Sequence, residues 1–331
     1  MKVCVIGAGA MGCLYGGRLA QAGYDVTLVD IWETHVSAIN SSGLLLDGIG
    51  GKIRVKIAAT TDASTVSPVD FVIVLVSANS TALAGQTASQ LLAPGGFVLS
   101  LQNGIGNFEA LAQVLGEERV MAGLSYDSAA IGGPGHVKHT NAGPTWLGER
   151  DGSRTTRLDQ LVTALSRSGL QPVIVDDIVG FIWDKWVLNC AINAVSAITG
   201  LRQGEIPRTP PVDEFQTRII DEILSVVAAK GLRLHDPDIK RAIKRQCWKK
   251  FNKPSMLQHI EAGKRTEIDA LNGAVVREGK ALGVSTPFNE ALTLLIKGLE
   301  KSRMQVVHGP TIDYGKLEAE TAERAAASAS A

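Results

Sequence analysis

The chain has 331 residues, room for about two domains. It is 45% hydrophobic and 20% charged, with 33 basic against 33 acidic side chains, so no net field gathers nucleic acid or anionic membrane. Apolar runs break at glycine or charge before the roughly 18 residues of a membrane span, the N-terminus reads as a strand and not a secretion leader, and the four cysteines form no C-x-x-C pair; a cytoplasmic protein is expected.

Residues 2–7, KVCVIG, form a short β-branched run that ends in Gly7-Ala8-Gly9-Ala10-Met11-Gly12. A helix-like stretch follows to Gln21, then a turn at Gly23, a second apolar run at 25–29, and an acid at Asp30. This strand–turn–helix–strand setting gives the G-x-G-x-x-G spacing its meaning as a dinucleotide-binding motif. Gly7 allows the tight turn, Gly9 lets a pyrophosphate approach, and Gly12 lets helix and strand pack closely. Asp30 ends the second strand, where a carboxylate accepts from ribose hydroxyls and repels a 2′-phosphate. No lysine or arginine occurs at 31–34, so Asp30 favours NAD(H) over NADP(H); the competing reading is that it only caps the next helix.

Strands are expected at 44–46 and 52–58, as a hairpin around Gly48–Gly51, and at 70–76, which runs into Ser77. A helix over 81–92 stops before Pro94, and a strand at 97–101 leads into Gln102-Asn103-Gly104. Ligands of open α/β sheets lie at the carboxyl ends of the strands, which places Ser77 and Asn103 near a nicotinamide; Asn-Gly is equally an ordinary turn. Residues 119–149 read as antiparallel strands extending the sheet, and their two histidines, His136 and His139, lack a third metal ligand at suitable spacing. A helix at 153–168 and a strand at 172–175 complete an N-terminal α/β domain, 1–176.

The stretch 181–199, FIWDKWVLNCAINAVSAIT, reads as a long apolar helix crossed by Lys185, Asn189 and Asn193. Steps of four stack these on one face. Buried polar groups need partners, so the stripe faces solvent, a partner helix or a polar ligand. Further helices are expected at 210–230, 237–250, 266–283 and 287–304, giving an all-helical second domain over 177–311. Its basic stretch 247–254 is either a solvated helix end or a small anion-attracting rim. Thr266 fits a helix N-cap, with Glu267 and Asp269 in the favourable first turn. The tail, 312–331, lacks apolar periodicity beyond alanine and is expected to be partly disordered.

Four motifs in this order, the glycine motif, Gln102-Asn103-Gly104, K-x-x-x-N-x-x-x-N and S-M-(x)9-T-E-I-D, together resemble the ketopantoate reductase (2-dehydropantoate 2-reductase) family from Met1 to about residue 305. The resemblance implies a Rossmann domain followed by an all-α domain, with a 2-keto acid reduced between them, usually by NADPH, to pantoate for coenzyme A synthesis. It implies Lys185 as general acid, Glu267 as the active-site glutamate, Asn189, Asn193 and Ser255 as substrate-binding groups, and Asn103 near nicotinamide and substrate. Two positions depart from the family pattern: Ser77 stands where a lysine is frequent, and His259 where S-M-x-x-D has its acid. With Asp30 they leave open a D-2-hydroxyacid dehydrogenase using NADH on another keto acid. A rival from another class is a non-catalytic dinucleotide sensor. The expected partner is a small 2-keto acid, with a homodimer left open and neither nucleic acid nor membrane.

Overall fold

The computed structural model describes residues 1–329. The N-terminal half runs β1 (Lys2–Ile6), α1 (Ala10–Gln21), β2 (Asp25–Val29), α2 (Glu33–Ser42), β3 (Leu44–Gly48), β4 (Ile53–Val55), β5 (Ala58–Thr60), β6 (Val69–Val74), α3 (Thr81–Leu91), β7 (Leu92–Ser100) and α4 (Asn107–Leu115). It continues through β8 (Val120–Ser125), β9 (Ser128–Gly133), β10 (His136–Asn141), β11 (Pro144–Gly148), α5 (Thr156–Arg167) and β12 (Gln171–Ile174).

The main sheet has eight strands in the order β12-β11-β8-β7-β6-β1-β2-β5. From β5 to β8 neighbouring strands are parallel; β11 follows antiparallel to β8, and β12, parallel to β11, forms that edge. Two-sided burial explains the near-continuous apolar strands: Val3 and Val5 enter one core with Leu28 and Leu99, while Cys4 and Ile6 enter the other with Val72 and Val98. The order reverses beside β1, so the crevice between the loops after β1 and β6 is the natural ligand position.

The strands at 119–149 depart from expectation. Only β8 and β11 extend the main sheet; β9 and β10 join the 44–55 hairpin in a second, four-stranded sheet of order β4-β3-β10-β9. Here β10 pairs parallel to β3, about ninety residues earlier in the chain, with His136 opposite Leu45 and Val137 opposite Leu46. The two histidines find carboxylates in this region, His136 Nε2 at 2.8 Å from Asp47 and His139 Nε2 at 3.0 Å from Asp127.

The helical half opens with α6 (Ile178–Thr199), whose first turn is capped by Asp177 accepting from the Gly180 N–H at 2.9 Å. It continues with α7 (Pro210–Ala229), α8 (Ile239–Lys249), α9 (Ser255–Glu261), α10 (Asn272–Leu282), α11 (Pro287–His308) and α12 (Tyr314–Ala329). α6 is long and apolar enough to cross a membrane, but it is the central helix of this domain, packed on α7, α9 and α11. Trp186, Val187, Cys190 and Val195 are its innermost side chains.

One expectation in this half is corrected. The helix expected from Thr266 begins only at Asn272. Residues 266–271 instead form a tight turn in which Ala270 N–H bonds the Glu267 carbonyl and Gly273 N–H bonds the Ile268 carbonyl. Thr266 accordingly caps a turn, its Oγ1 accepting from Ile268 N–H at 3.2 Å. The tail carries a helix over Tyr314–Ala329. Alanine-rich composition with Lys316 four residues before Glu320 gives it intrinsic helicity. The last two residues of the tail lie outside the described ones.

Candidate active site

The glycine turn leaves β1 and enters α1 in the geometry that its spacing requires. Gly7 has φ +99°, and a Cβ there would meet the Leu75 and Val76 backbone at 2.8 Å. A Cβ on Gly12 would lie 1.8 Å from the Gly7 carbonyl oxygen. Above Gly9 a Cβ would meet nothing within 4 Å, so the backbone there is open to a ligand. The first turn of α1 has no side-chain cap and no acid, which leaves its N–H groups available to an anion along with Ala8, Ala10 and Met11.

Asp30 sits at the end of β2. Its Oδ1 accepts from the Trp32 N–H at 3.0 Å, a local turn. The residue before α2 is Trp32, so Asp30 is not the cap of that helix. One carboxylate oxygen is engaged and the other has no partner among the described residues. Beside it, Ile31 is 92% exposed and Trp32 stacks on His35 with centroids 4.6 Å apart.

The loops after β6 and β7 are stitched together. Gln102 Nε2 donates to the Val76 carbonyl at 3.0 Å and to Thr81 Oγ1 at 2.8 Å, and Asn107 Nδ2 donates to the Asn103 carbonyl at 2.9 Å. This leaves the Asn103 side chain free to hydrogen-bond Glu267. Ser77 is exposed and opens the short turn Ala78–Ser80. The Ala78 N–H is a second donor to Glu267.

On the other side of the cleft, α6 presents Lys185, Asn189 and Asn193 on successive turns. Lys185 is half-buried; its Nζ donates to the Ser125 carbonyl at 2.6 Å and lies 5.5 Å from the centre of the Tyr126 ring. Asn189 and Asn193 have no hydrogen-bond partner among the described residues, yet their amide atoms are not sealed off. Ser255, exposed at the start of α9, is likewise unpartnered. α9 packs directly on α6. The turn that carries Glu267 is tied to α6, which brings its charge within electrostatic range of the lysine: Trp186 Nε1 donates to the Ala270 carbonyl at 3.0 Å, and Asn272 Nδ2 to the Cys190 carbonyl at 3.0 Å.

The electrostatics follow from burial. Desolvation lowers the Lys185 amine from 10.5 to about 8, opposed by the charge of Glu267. Desolvation raises the Glu267 carboxyl, opposed by the Asn103 and Ala78 hydrogen bonds and by Lys185. An amine near 8 stays mostly protonated at neutral pH and releases its proton more readily than an exposed lysine, which suits a general acid. His259 lies one turn after Ser255, and burial pushes its imidazole down, with Lys264 acting in the same sense. Hollows of about 360 and 510 Å³ flank α6 on either side, and neither is lined by Lys185, Asn189, Asn193 or Ser255. Three contributors to the site escape sequence reasoning: the Ser125 carbonyl, the Tyr126 ring and the Ala78 N–H. The first and third are backbone groups and carry no sequence signal.

The N-terminal part of the family "Ketopantoate reductase PanE/ApbA" matches residues 3–152, and its C-terminal part matches residues 177–300. The 2-dehydropantoate 2-reductase of Pyrococcus horikoshii is 32% identical over 300 residues, spanning 91% of this chain and 98% of the relative. That of Archaeoglobus fulgidus is 33% identical over 299 residues, spanning 90% and 98%. Among solved structures, a PanE/ApbA family ketopantoate reductase from Ralstonia eutropha superposes with TM-score 0.85 at 37% identity, covering 92% of this chain and all (100%) of that one. A D-mandelate dehydrogenase, solved with NADH and anilino(oxo)acetate, superposes with TM-score 0.84 at 30% identity, covering 92% and 99%. With both halves matched and nine-tenths of the chain aligned to relatives, this protein belongs to the ketopantoate reductase family.

Proposed function

We propose that the chain reduces the ketone of 2-dehydropantoate to (R)-pantoate with a reduced nicotinamide dinucleotide, in the pathway to pantothenate and coenzyme A. The observation that carries this reading is the pairing of a desolvated lysine amine with Glu267 across a cleft lined by unpartnered amides. The residues at 7–12 and Asp30 fit a dinucleotide, which when bound supplies the hydride. The protonated Lys185 amine then stabilises charge growing on the ketone oxygen and donates a proton to it. Glu267 holds that amine in its charged form and is placed to accept from the new hydroxyl. Asn189, Asn193 and Ser255 offer directional hydrogen bonds to the substrate's carboxylate and hydroxyl. Asn103, beside the nicotinamide position, fixes Glu267. Asp30, with no cation at 31–34, favours NADH over NADPH.

A second reading has its own support. The exposed Ser77, at a place where the family often carries a lysine, and Asp30 both favour an NADH-dependent D-2-hydroxyacid dehydrogenase acting on a branched or aromatic keto acid. The relative solved with NADH and anilino(oxo)acetate supports the same reading. Steady-state assays of the purified protein with a panel of 2-keto acids against NADH and NADPH separate the two. The pantoate reading predicts the highest kcat/KM with 2-dehydropantoate; a much higher value with benzoylformate overturns it. Absence of any reductase activity together with tight dinucleotide binding would favour a sensor.

A further inference from the structure

Behind the Lys185 amine lies a polar cluster that the proton-donor reading does not use. The amine's hydrogen-bond acceptor is the Ser125 carbonyl, at the last residue of β8, across the boundary between the two halves. The side chain of the same residue is the centre of the cluster. Ser125 Oγ accepts from the Asp127 N–H at 3.0 Å, a local turn that sets the direction of the peptide groups at 125–127. Tyr15, fully buried on α1, places its hydroxyl 2.8 Å from Ser125 Oγ, 2.5 Å from Thr145 Oγ1 and 3.3 Å from Asp127 Oδ2. Asp127 is satisfied on its other oxygen by His139 Nε2 at 3.0 Å and by the Gly143 N–H. His139 Nδ1 is buried without a hydrogen-bond partner among the described residues.

We propose that Tyr15, with Ser125 and Asp127, is a positioning device for Lys185: it fixes the carbonyl that aims the amine and ties that carbonyl to the helix that follows the glycine turn. Tyr15 lies five residues after Ala10, the first residue of α1. The loop offered to the dinucleotide and the anchor of the proton donor therefore share one rigid element. A side chain that only filled the core at this position would need no hydroxyl, and a hydroxyl buried without partners is unfavourable. The cluster instead gives the tyrosine oxygen three partners and passes the constraint to one backbone oxygen. Tyr15, Thr145, Ser125 and Asp127 are all buried side chains, so their effect is proposed to act through Lys185.

This inference rests on Lys185 being the proton donor. The charged or titratable groups around the amine are Glu267 from the turn before α10, Tyr126 and Asp127 at the end of β8, His139 behind Asp127, and Asp184 beside it on α6. Asp184 turns away to accept the His235 and Asp236 N–H groups at 3.0 and 2.8 Å. A carbonyl aimed at the amine favours its charged form. Freeing that carbonyl lowers the amine's proton affinity, and the alkaline limb of the reduction moves to lower pH.

The test uses full-length Tyr15→Phe and Ser125→Ala enzymes, each of which removes one oxygen. Tyr15→Phe is expected to lower kcat about tenfold or more, as misplacement of a reacting group does. The NADH dissociation constant, read by nucleotide fluorescence, stays within about twofold, because the N–H groups that meet the phosphates are unchanged. The alkaline limb of kcat shifts down by about half a pH unit or more. Ser125→Ala shows the same pattern and carries the test if Tyr15→Phe does not fold. A lowered melting temperature with wild-type kcat and an unmoved limb overturns the proposal and leaves the cluster as core packing. Full activity in Lys185→Ala overturns the proton-donor reading itself. Loss of activity in Lys185→Ala with wild-type kinetics in Tyr15→Phe and Ser125→Ala sinks only the positioning role.

Discussion

Replacing Lys185 by methionine removes a charge that the fold holds at a free-energy cost. The amine falls from 10.5 to about 8 on folding. At about 1.4 kcal/mol per tenfold change in proton affinity, this gap corresponds to at most about 3.5 kcal/mol, less where the half-buried side chain meets solvent. The folded value is the lower one. Below pH 8 both states carry the proton and the whole penalty is present. Between pH 8 and 10.5 the folded chain has released its proton and the unfolded chain has not, so wild-type stability rises across that window. Lys185→Met lacks this rise. At pH 7 the variant escapes the penalty but loses a charged hydrogen bond to the Ser125 carbonyl worth about 1.5–3 kcal/mol, so the two proteins unfold within about 1 kcal/mol of each other. By pH 10 the wild type gains about 2–3 kcal/mol on the variant. Urea unfolding followed by tryptophan fluorescence measures this directly, because Trp183 and Trp186 flank the lysine on α6. A wild-type-minus-variant difference that stays flat from pH 7 to 10 refutes the desolvated amine. The same variant should lose about 10²–10⁴-fold in kcat, and an unchanged kcat removes Lys185 from the chemistry.

Three further perturbations probe the neighbours of the lysine and the dinucleotide side. Glu267→Gln removes the charge that keeps Lys185 protonated, so the alkaline limb of the reduction should move below about 8, and a limb that stays put would discount the pair. Asp30→Ala should shift the kcat/KM ratio toward NADPH by about tenfold, the scale expected for one like charge near a phosphate; a wild type that already prefers NADPH contradicts the role given to Asp30. Gly12→Ala drives a Cβ into the Gly7 carbonyl, so dinucleotide binding should be lost in a fluorescence titration and stability should fall by about 1–3 kcal/mol; retained binding would show that the turn relaxes.

The N-terminal turn and the α6 stripe were readable because both are local. G-x-G-x-x-G and K-x-x-x-N-x-x-x-N are short patterns whose geometry one element dictates. The second sheet was not readable, because β10 pairs with a strand about ninety residues away and nothing in its own alternation names that partner. Thr266 misled for the opposite reason: its local signal fits a helix cap, but the ties from Trp186 and Asn272 to α6 hold 266–271 as a turn. Asn103 was placed by its position at a strand end, whereas its contact with Glu267 depends on two distant segments meeting.

The hydrogen bond from Lys185 to the Ser125 carbonyl has a consequence for the order in which the enzyme comes into being. The dinucleotide-binding elements all precede Ile178, and the amine arrives on the next helix to leave the ribosome. All strands of both sheets therefore emerge before the helix that carries Lys185. On the proposed reading, in which Lys185 donates the proton, reduction begins only when the later half docks and that amine meets the Ser125 carbonyl, so truncated products would lack the acid.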